Sequence, residues 1–523
     1  MSAAAAPART WTPGVNHWII AASVMLATFM EVLDTSVANV ALPHIAGNLS
    51  ATTDESTWVL TSYLVSNAIV LPATNWIAHY IGRKRFLIAC VIVFTLSSAL
   101  CGAATSLPLL IFARVLQGAG GGALQPISQA ILLESFPQEK RGQAMALFGL
   151  GVIVAPIIGP TLGGWITDNY SWRWIFYINV PIGILAVLMT SAFIQDPPYI
   201  REQKPGRIDY IGFGLMAVGL AAFQIMLDKG QEDDWFSSVF ITWLVVITVV
   251  ALAAFVVWEL RSKEPIVNLR VLKNRNFATG TMLIAAMGIV LYGSTALLPL
   301  FLQTLLGYPA TESGMAVSPR GIGAVLSMII VGRLVGRVDG SYLIMFGFAV
   351  LAFSTHMLAD LNLNLAMSNI VWPMVVSGFA MGFIFVPLTT MAMGTLPNEQ
   401  IGNATGVFNL MRNIGGSIGI SAMSTLLSRG AQAHQAVISS HVTPYDPAFQ
   451  QRIEQIQGAT GAVGGLVSPE ALASVYGEVV RQSTLLSFMD NFRLLALLCL
   501  LCVPVALLFR RVVVKKGGPV VMH

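Results

Sequence analysis

The sequence predicts an all-α membrane protein of fourteen transmembrane helices with both termini in the cytoplasm. Three observations point there. Of 523 residues, 55% are hydrophobic and 10% charged, whereas soluble domains run near 25% charged, and mean hydropathy is +0.73. Apolar stretches of about 20 residues, the length of one bilayer crossing, recur from end to end. Basic residues cluster in alternate loops, as they do on the cytoplasmic side of membrane proteins.

The apolar runs lie near 17–40, 58–78, 86–105, 107–130, 142–166, 174–194, 209–228, 237–258, 277–300, 312–334, 341–359, 369–392, 403–427 and 488–510. They are helices by length, and because an open strand leaves its backbone unpaired in lipid. An even number of spans returns the C-terminus to the side of the N-terminus. That side holds Arg83, Lys84, Arg85, Lys140, Arg141, Arg201, Lys204, Arg207, Arg261, Lys263, Arg270, Lys273, Arg275, Arg333 and Arg337 in its loops. Arg510, Arg511, Lys515 and Lys516 add to it from the C-terminal tail. The opposite loops hold only Arg173, Lys229, Arg429, Arg452 and Arg481. This asymmetry accounts for a pI near 8.9 without a nucleic-acid partner.

The opening "MSAAAAPART" reads as an uncleaved cytoplasmic tail, because no apolar stretch precedes the first span. Cys90, Cys101, Cys499 and Cys502 all fall in apolar runs and read as packing residues. The seven histidines are scattered and form no HExxH-like cluster, so no metal, cofactor or embedded enzyme is expected. The one long outer loop, 428–487, carries two helix starts, Asp446-Pro447 and Ser468-Pro469. The second runs without a strong breaker into the last span, so that helix stands about 27 Å out of the membrane. Leu472, Val475, Tyr476, Val479 and Val480 form an apolar stripe along it, which either folds onto the loop's other helix, lies in the headgroup layer, or is a docking face.

Ionisable residues inside spans are costly and mark function. Span 1 holds Glu31 and Asp34, and span 4 holds Arg114. Asp34 lies nine residues before Pro43, and Arg114 about eight residues into its span from the same face. At 1.5 Å per residue both lie roughly 12–14 Å deep, which makes them a candidate ion pair and proton site. Glu31, one turn deeper, has no evident partner. Arg320 and Arg412 lie in the C-terminal half with no deep carboxylate nearby, which favours neutral or weakly acidic ligands over cations. The glycine cluster in "RVLQGAGGGALQP" (114–126) lacks a preceding strand, so it reads as close helix packing and not as a nucleotide loop.

These strings resemble the major facilitator superfamily, and within it the fourteen-span drug:proton antiporters of the EmrB/QacA type. "LDTSVANVALP" (33–43) resembles that group's span-1 signature, and "RVLQGAGGG" (114–122) the span-4 motif whose arginine is tied to proton transfer. "GPTLGG" (159–164) matches the core of the antiporter motif, with Gly159, Pro160, Gly163 and Gly164 in its packing positions. Ala146 and Ala155 stand where that motif has two further glycines. "WRWIFYINVPIG" (172–183), "MLDKGQEDDWFSS" (226–238) and "NLMRNIGGSIG" (409–419), the last including Asn409, look like the EmrB-like multidrug exporters in particular.

One loop departs from the family. Its usual G-x-L-A-D-R-x-G-R-K is here "NWIAHYIGRK" (75–84). His79 stands for the aspartate, while Gly82 and Arg83 survive, so the gating latch built on that aspartate is altered.

The resemblance implies a major facilitator fold of two six-helix bundles, about 17–195 and 277–510, rocking about a central cavity. Spans 7 and 8 form an inserted hairpin within 196–276, and residues 1–16 and 511–523 are tails. It implies proton-coupled efflux of small lipophilic compounds across the inner membrane. It also implies partnership with an EmrA-like periplasmic adaptor and a TolC-like outer-membrane channel. Export of one metabolite, such as a siderophore or fatty acid, and a non-transporting sensor are the alternatives.

Overall fold

The computed structural model describes residues 14–196, 209–460 and 469–510. The basic loop residues Arg201, Lys204 and Arg207, the cap at Ser468 and most of both tails lie outside them. Among the described residues there are eighteen α-helices and no β-strand.

The first eight helices are α1 (His17–Asn48), α2 (Thr53–Ile81), α3 (Arg83–Gly102), α4 (Leu107–Gly121), α5 (Leu124–Ser135), α6 (Arg141–Asn169), α7 (Trp174–Tyr177) and α8 (Asn179–Phe193). A hairpin follows, α9 (Tyr210–Lys229) and α10 (Val239–Arg261). The remainder are α11 (Arg275–Thr304), α12 (Ala310–Val317), α13 (Pro319–Leu334), α14 (Gly340–Ala359), α15 (Ser368–Met393), α16 (Asn398–His441), α17 (Pro447–Thr460) and α18 (Pro469–Val505). Polar caps mark where helices leave the apolar layer. Asn16 accepts from the Trp18 amide at 3.0 Å, Thr52 and Glu55 form a capping box, and Asp209 and Asn274 cap α9 and α11.

Twelve helical stretches are long and apolar enough to cross a membrane. α2 (29 residues) and α16 (44 residues) have the length without the composition. Their polarity has a structural reason. α1–α8 pack on one another, as do α11–α18, and α2 meets α16 between these two sets. Asn67, Asn403 and Asn409 are buried on these two helices. α5 also touches α16, and α6 runs against α12, α13 and α15. The α9–α10 hairpin lies beside this seam, with α9 against both α2 and α16.

The structure adds detail that run lengths do not carry. The expected span 4 is broken at Gly122–Ala123 into α4 and α5. α16 does not end near 427 but continues to His441 as one helix of about 66 Å. Beyond 427 the helix holds a single glycine, Gly430, and there it closes onto α18, where a Cβ would meet Ser487 Oγ at 2.5 Å. His434 bonds Asp490 at 2.8 Å one turn further along.

Helices start at Pro447 and Pro469, as the proline caps predict. α17 folds back onto α18 by burying Ile453 against Ala471 and Val475, and Arg452 pairs with Glu478 across them. The ends of α16 and α18 and all of α17 thus form a helical element at one end of the molecule, called here the projecting end.

Candidate functional site

Close helix approach builds the site. On α4, a Cβ at Gly118 would land on the Tyr63 carbonyl, and one at Gly120 would meet the Phe94 amide nitrogen at 2.7 Å. At Gly121 it would meet the Tyr63 hydroxyl at 2.6 Å, and at Gly122 the Asn67 carbonyl at 2.5 Å. The glycine cluster therefore lets α4 lie directly on α2 and α3. That approach carries Arg114 and Gln117, one turn apart, to α1.

Asp34 and Arg114 meet there, both fully enclosed. Arg114 Nη1 donates to Asp34 Oδ2 at 2.7 Å. Gln117 Nε2 and Asn179 Nδ2 donate to Asp34 Oδ1 at 2.9 and 2.7 Å. Arg114 is held in turn by the Val59 carbonyl at 2.9 Å, by Gln117 Oε1 at 2.8 Å, and over the Tyr63 ring at 4.2 Å. A carboxylate with three donors, one of them a guanidinium, is compensated in its charged form. Protonating it would release the arginine and both amides.

Glu31 has partners that the sequence reading did not supply. Gln125 Nε2 donates to Glu31 Oε2 at 2.6 Å, while Tyr63 Oη and Asn67 Nδ2 donate to Oε1 at 3.2 and 3.3 Å. Gln125 also accepts from Arg412 Nη2, and Gln129 accepts from Asn409 Nδ2 at 2.5 Å. The expectation that Arg412 stands apart from every deep carboxylate is therefore corrected. A chain Glu31–Gln125–Arg412 joins the two sets of helices, because α5 and α16 cross at that point. Arg320 is the arginine without such a link. Its hydrogen bonds run to Thr295 Oγ1 (2.7 Å) and Ser294 Oγ (3.0 Å).

The antiporter-motif residues sit on α6 against α1. A Cβ at Gly163 would meet Val37 Cγ1 at 2.8 Å, and one at Gly159 would fall on the Ser36 side chain. Ser36 Oγ donates to the Pro156 carbonyl at 3.0 Å. Gly164 is buried, and Pro160 lies beside α12, 3.5 Å from where a Cβ at Gly314 would stand.

At the altered loop, Gly82 has φ +90°, a conformation that favours glycine. Asp196 Oδ1 accepts from the Lys84 amide at 2.8 Å. Arg83 pairs with Glu134, the two side chains being 3% and 4% exposed. His79 is half-buried, with Nδ1 2.7 Å from the Asn75 carbonyl, so Glu134 rather than residue 79 faces Arg83 as the acid.

The outer stripe divides. Val475 and Val479 are buried within the projecting element, whereas Leu472 and Tyr476 are exposed. The buried face repeats as Ala471, Val475, Val479, and α17 covers the first two through Ile453.

Sequence reading missed Gln117, Gln125, Gln129, Tyr63, Asn67, Asn179 and Glu134. Most carried a signal: Gln125/Gln129 and Tyr63/Asn67 are uncharged polar or phenolic pairs at i, i+4 on single helices, and Gln117 is i+3 from Arg114.

The Major Facilitator Superfamily profile matches residues 24–420. The chain is 39% identical over 480 residues to the multidrug export protein EmrB of Escherichia coli (strain K12), covering 92% of each. It is 37% identical over 496 residues to the fatty acid resistance protein FarB of Neisseria gonorrhoeae, covering 95% of this chain and 96% of that protein. Among solved structures, the human organic anion transporter MFSD10 (TETRAN) shares the fold. Its TM-score is 0.57 at 12% identity, covering 92% of this chain and 99% of that one.

Proposed function

Because the chain belongs to the major facilitator superfamily of membrane transporters, we propose that it is a proton-coupled multidrug exporter of lipophilic neutral or weakly acidic compounds. It is a transporter and not an enzyme. The observation that carries the reading is the enclosed Asp34–Arg114 pair, beside a network that ties Glu31 to Arg412 across the seam. Similarity to EmrB supports multidrug cargo, and similarity to FarB supports fatty acids as a second reading.

In this proposal α1–α8 and α11–α18 are the two bundles, spanning about 17–195 and 277–510. α2 and α16 complete fourteen spans, the termini are cytoplasmic, and the projecting end faces the periplasm from the inner membrane. Rocking of the bundles separates Gln125 from Arg412 and Gln129 from Asn409 on one stroke. A proton on Asp34 frees Arg114 and loosens α1 from α4. The packed glycines of α6 keep the seal against α1 while α6 slides on α12 and α13. The Arg83–Glu134 pair, with Gly82 and His79 beside it, closes the opposite end. One proton at a total force near 180 mV supports a gradient of roughly a thousandfold for a neutral substrate.

Purified protein in proteoliposomes tests this. An imposed proton gradient drives uptake into inverted vesicles of lipophilic weak acids better than of divalent cations, and a protonophore abolishes it. Gradient-independent movement, or a preference for dications, would refute the reading.

The tripartite arrangement is part of the same proposal. An EmrA-like adaptor docks on the projecting element and leads to a TolC-like channel. Its contact is the exposed pair Leu472 and Tyr476, since Val475 and Val479 support the element from inside. Leu472→Gln with Tyr476→Ser leaves transport in vesicles unchanged but removes resistance in whole cells, because substrate is then released without its conduit. Full cellular protection by a well-expressed double variant would exclude this face.

A further inference from the structure

We propose that Arg320, with Ser294 and Thr295, is a binding site for a monovalent anion within the second bundle. Five cationic side chains are buried among the described residues: Arg83, Arg114, Lys229, Arg320 and Arg412. Arg83 pairs with Glu134, Arg114 with Asp34, and Lys229 with Glu232. Arg412 bonds Gln125, whose amide bonds Glu31. Arg320 alone of the five has neither a carboxylate within 4.0 Å nor a one-residue relay to one among the described residues.

The surroundings make this exception chemical rather than incidental. Arg320 is 2% exposed. Arg481, twelve residues into α18 from Pro469, donates to the Leu305 carbonyl at 2.8 Å, which fixes the C-terminal end of α11 towards the projecting end. Ser294 and Thr295 lie nine to ten residues before that end and Arg320 about ten after α12 begins, so the group lies roughly 15 Å inside. A guanidinium at that depth is unfavourable without negative charge beside it. Nε has no hydrogen-bond partner.

Both hydroxyls currently donate to the Leu291 carbonyl, at 3.1 and 2.6 Å, and accept from the arginine. Each can rotate to donate to an arriving anion instead. The group thus offers a planar cation and two rotatable hydroxyls, suited to a small charge such as chloride or one carboxylate. Thr295 is only partly buried, which leaves a way in. The neighbouring Gly321 faces α6, with Ile157 3.8 Å from its Cβ position, so an occupant would lie near the seam between the bundles. The proposal rests on the transporter reading only for which anion is carried or sensed.

Thermal unfolding of the purified full chain in nanodiscs tests it, independently of transport. Chloride, benzoate and the uncharged match benzamide are titrated at ionic strength held constant with a bulky sulfonate. The unfolding temperature rises saturably with chloride, benzoate or both, and not with benzamide. Chloride alone identifies an inorganic ion, and benzoate alone a substrate carboxylate. Arg320→Lys, which keeps the charge and loses the fork, raises the half-saturating concentration about tenfold. Ser294→Asp places a carboxylate beside Nη2, to which the Ser294 hydroxyl is now bonded at 3.0 Å. It raises the anion-free unfolding temperature and removes the anion response. No anion-specific shift in the parent protein overturns the site, as does a Ser294→Asp protein that responds like the parent. Efflux that persists in that case leaves the transporter reading intact.

Discussion

Asp34→Asn abolishes proton-driven efflux while the protein still inserts and unfolds cooperatively. The amide preserves the shape of the carboxylate, and one of its atoms can still accept from Arg114. Its other atom now meets Gln117 Nε2 and Asn179 Nδ2 as a donor facing donors. Asn179 Oδ1 has no partner in the present arrangement, so that side chain can turn over and accept. Arg114 also keeps the Val59 carbonyl, Gln117 Oε1 and the Tyr63 ring. The cost in stability is therefore about 1–3 kcal/mol rather than collapse. Transport is affected far more, because no proton can bind at the position that releases Arg114. Gradient-driven flux in proteoliposomes falls to background, and a scan of unfolding temperature shows a modest decrease. Glu31→Gln contrasts with it: the substitution keeps the contacts to Gln125 and Tyr63 and shifts which substrates are accepted. Active Asp34→Asn beside inactive Glu31→Gln would exchange the two roles.

The difference between those residues shows what the sequence can and cannot reveal. Asp34 and Arg114 could be matched from helix rise alone, because each sits a countable distance from a membrane face. Glu31 could not, because its partners come from two other helices, α2 and α5, and its onward link crosses to α16 through Gln125. Neutral amides raise no alarm in a hydropathy profile, yet here they carry the connection between the bundles.

A similar limit explains the loop at 75–84. The sequence shows that His79 replaces an acid. It does not show that Glu134, four residues beyond the expected end of span 4, already pairs with Arg83. Twelve of the fourteen expected spans coincide with helices long and apolar enough to cross a membrane, since lipid imposes run length, while α2 and α16 lack the composition. The projecting element could not be read in this way, because the extent of α16 and the burial of Val475 and Val479 depend on packing outside the membrane, where no such rule holds. The stripe seen in the sequence shares Val475 and Val479 with the buried face, which continues through Ala471 and leaves Leu472 and Tyr476 exposed.

Arg114→Ala is more damaging than Arg114→Lys in both stability and transport. Alanine removes the partner of a fully enclosed carboxylate, a loss of roughly 3–5 kcal/mol. It also strands the Val59 carbonyl and opens a void under Tyr63, where the guanidinium carbon lies 4.2 Å from the ring centroid. Lysine reaches Asp34 with one charge, keeps the carboxylate ionised, and loses the simultaneous bonds to Val59 and Gln117 that only a fork can make. Unfolding temperatures therefore fall in the order parent, Arg114→Lys, Arg114→Ala. Efflux is partial in Arg114→Lys and absent in Arg114→Ala. The double variant Asp34→Asn, Arg114→Ala recovers stability relative to Arg114→Ala alone, because it removes the stranded charge, yet it stays inactive. That separation is the decisive readout: a merely structural ion pair would regain transport with stability. Equal stability of the alanine and lysine variants, or transport by the double variant, would show that the pair does not couple protons to export.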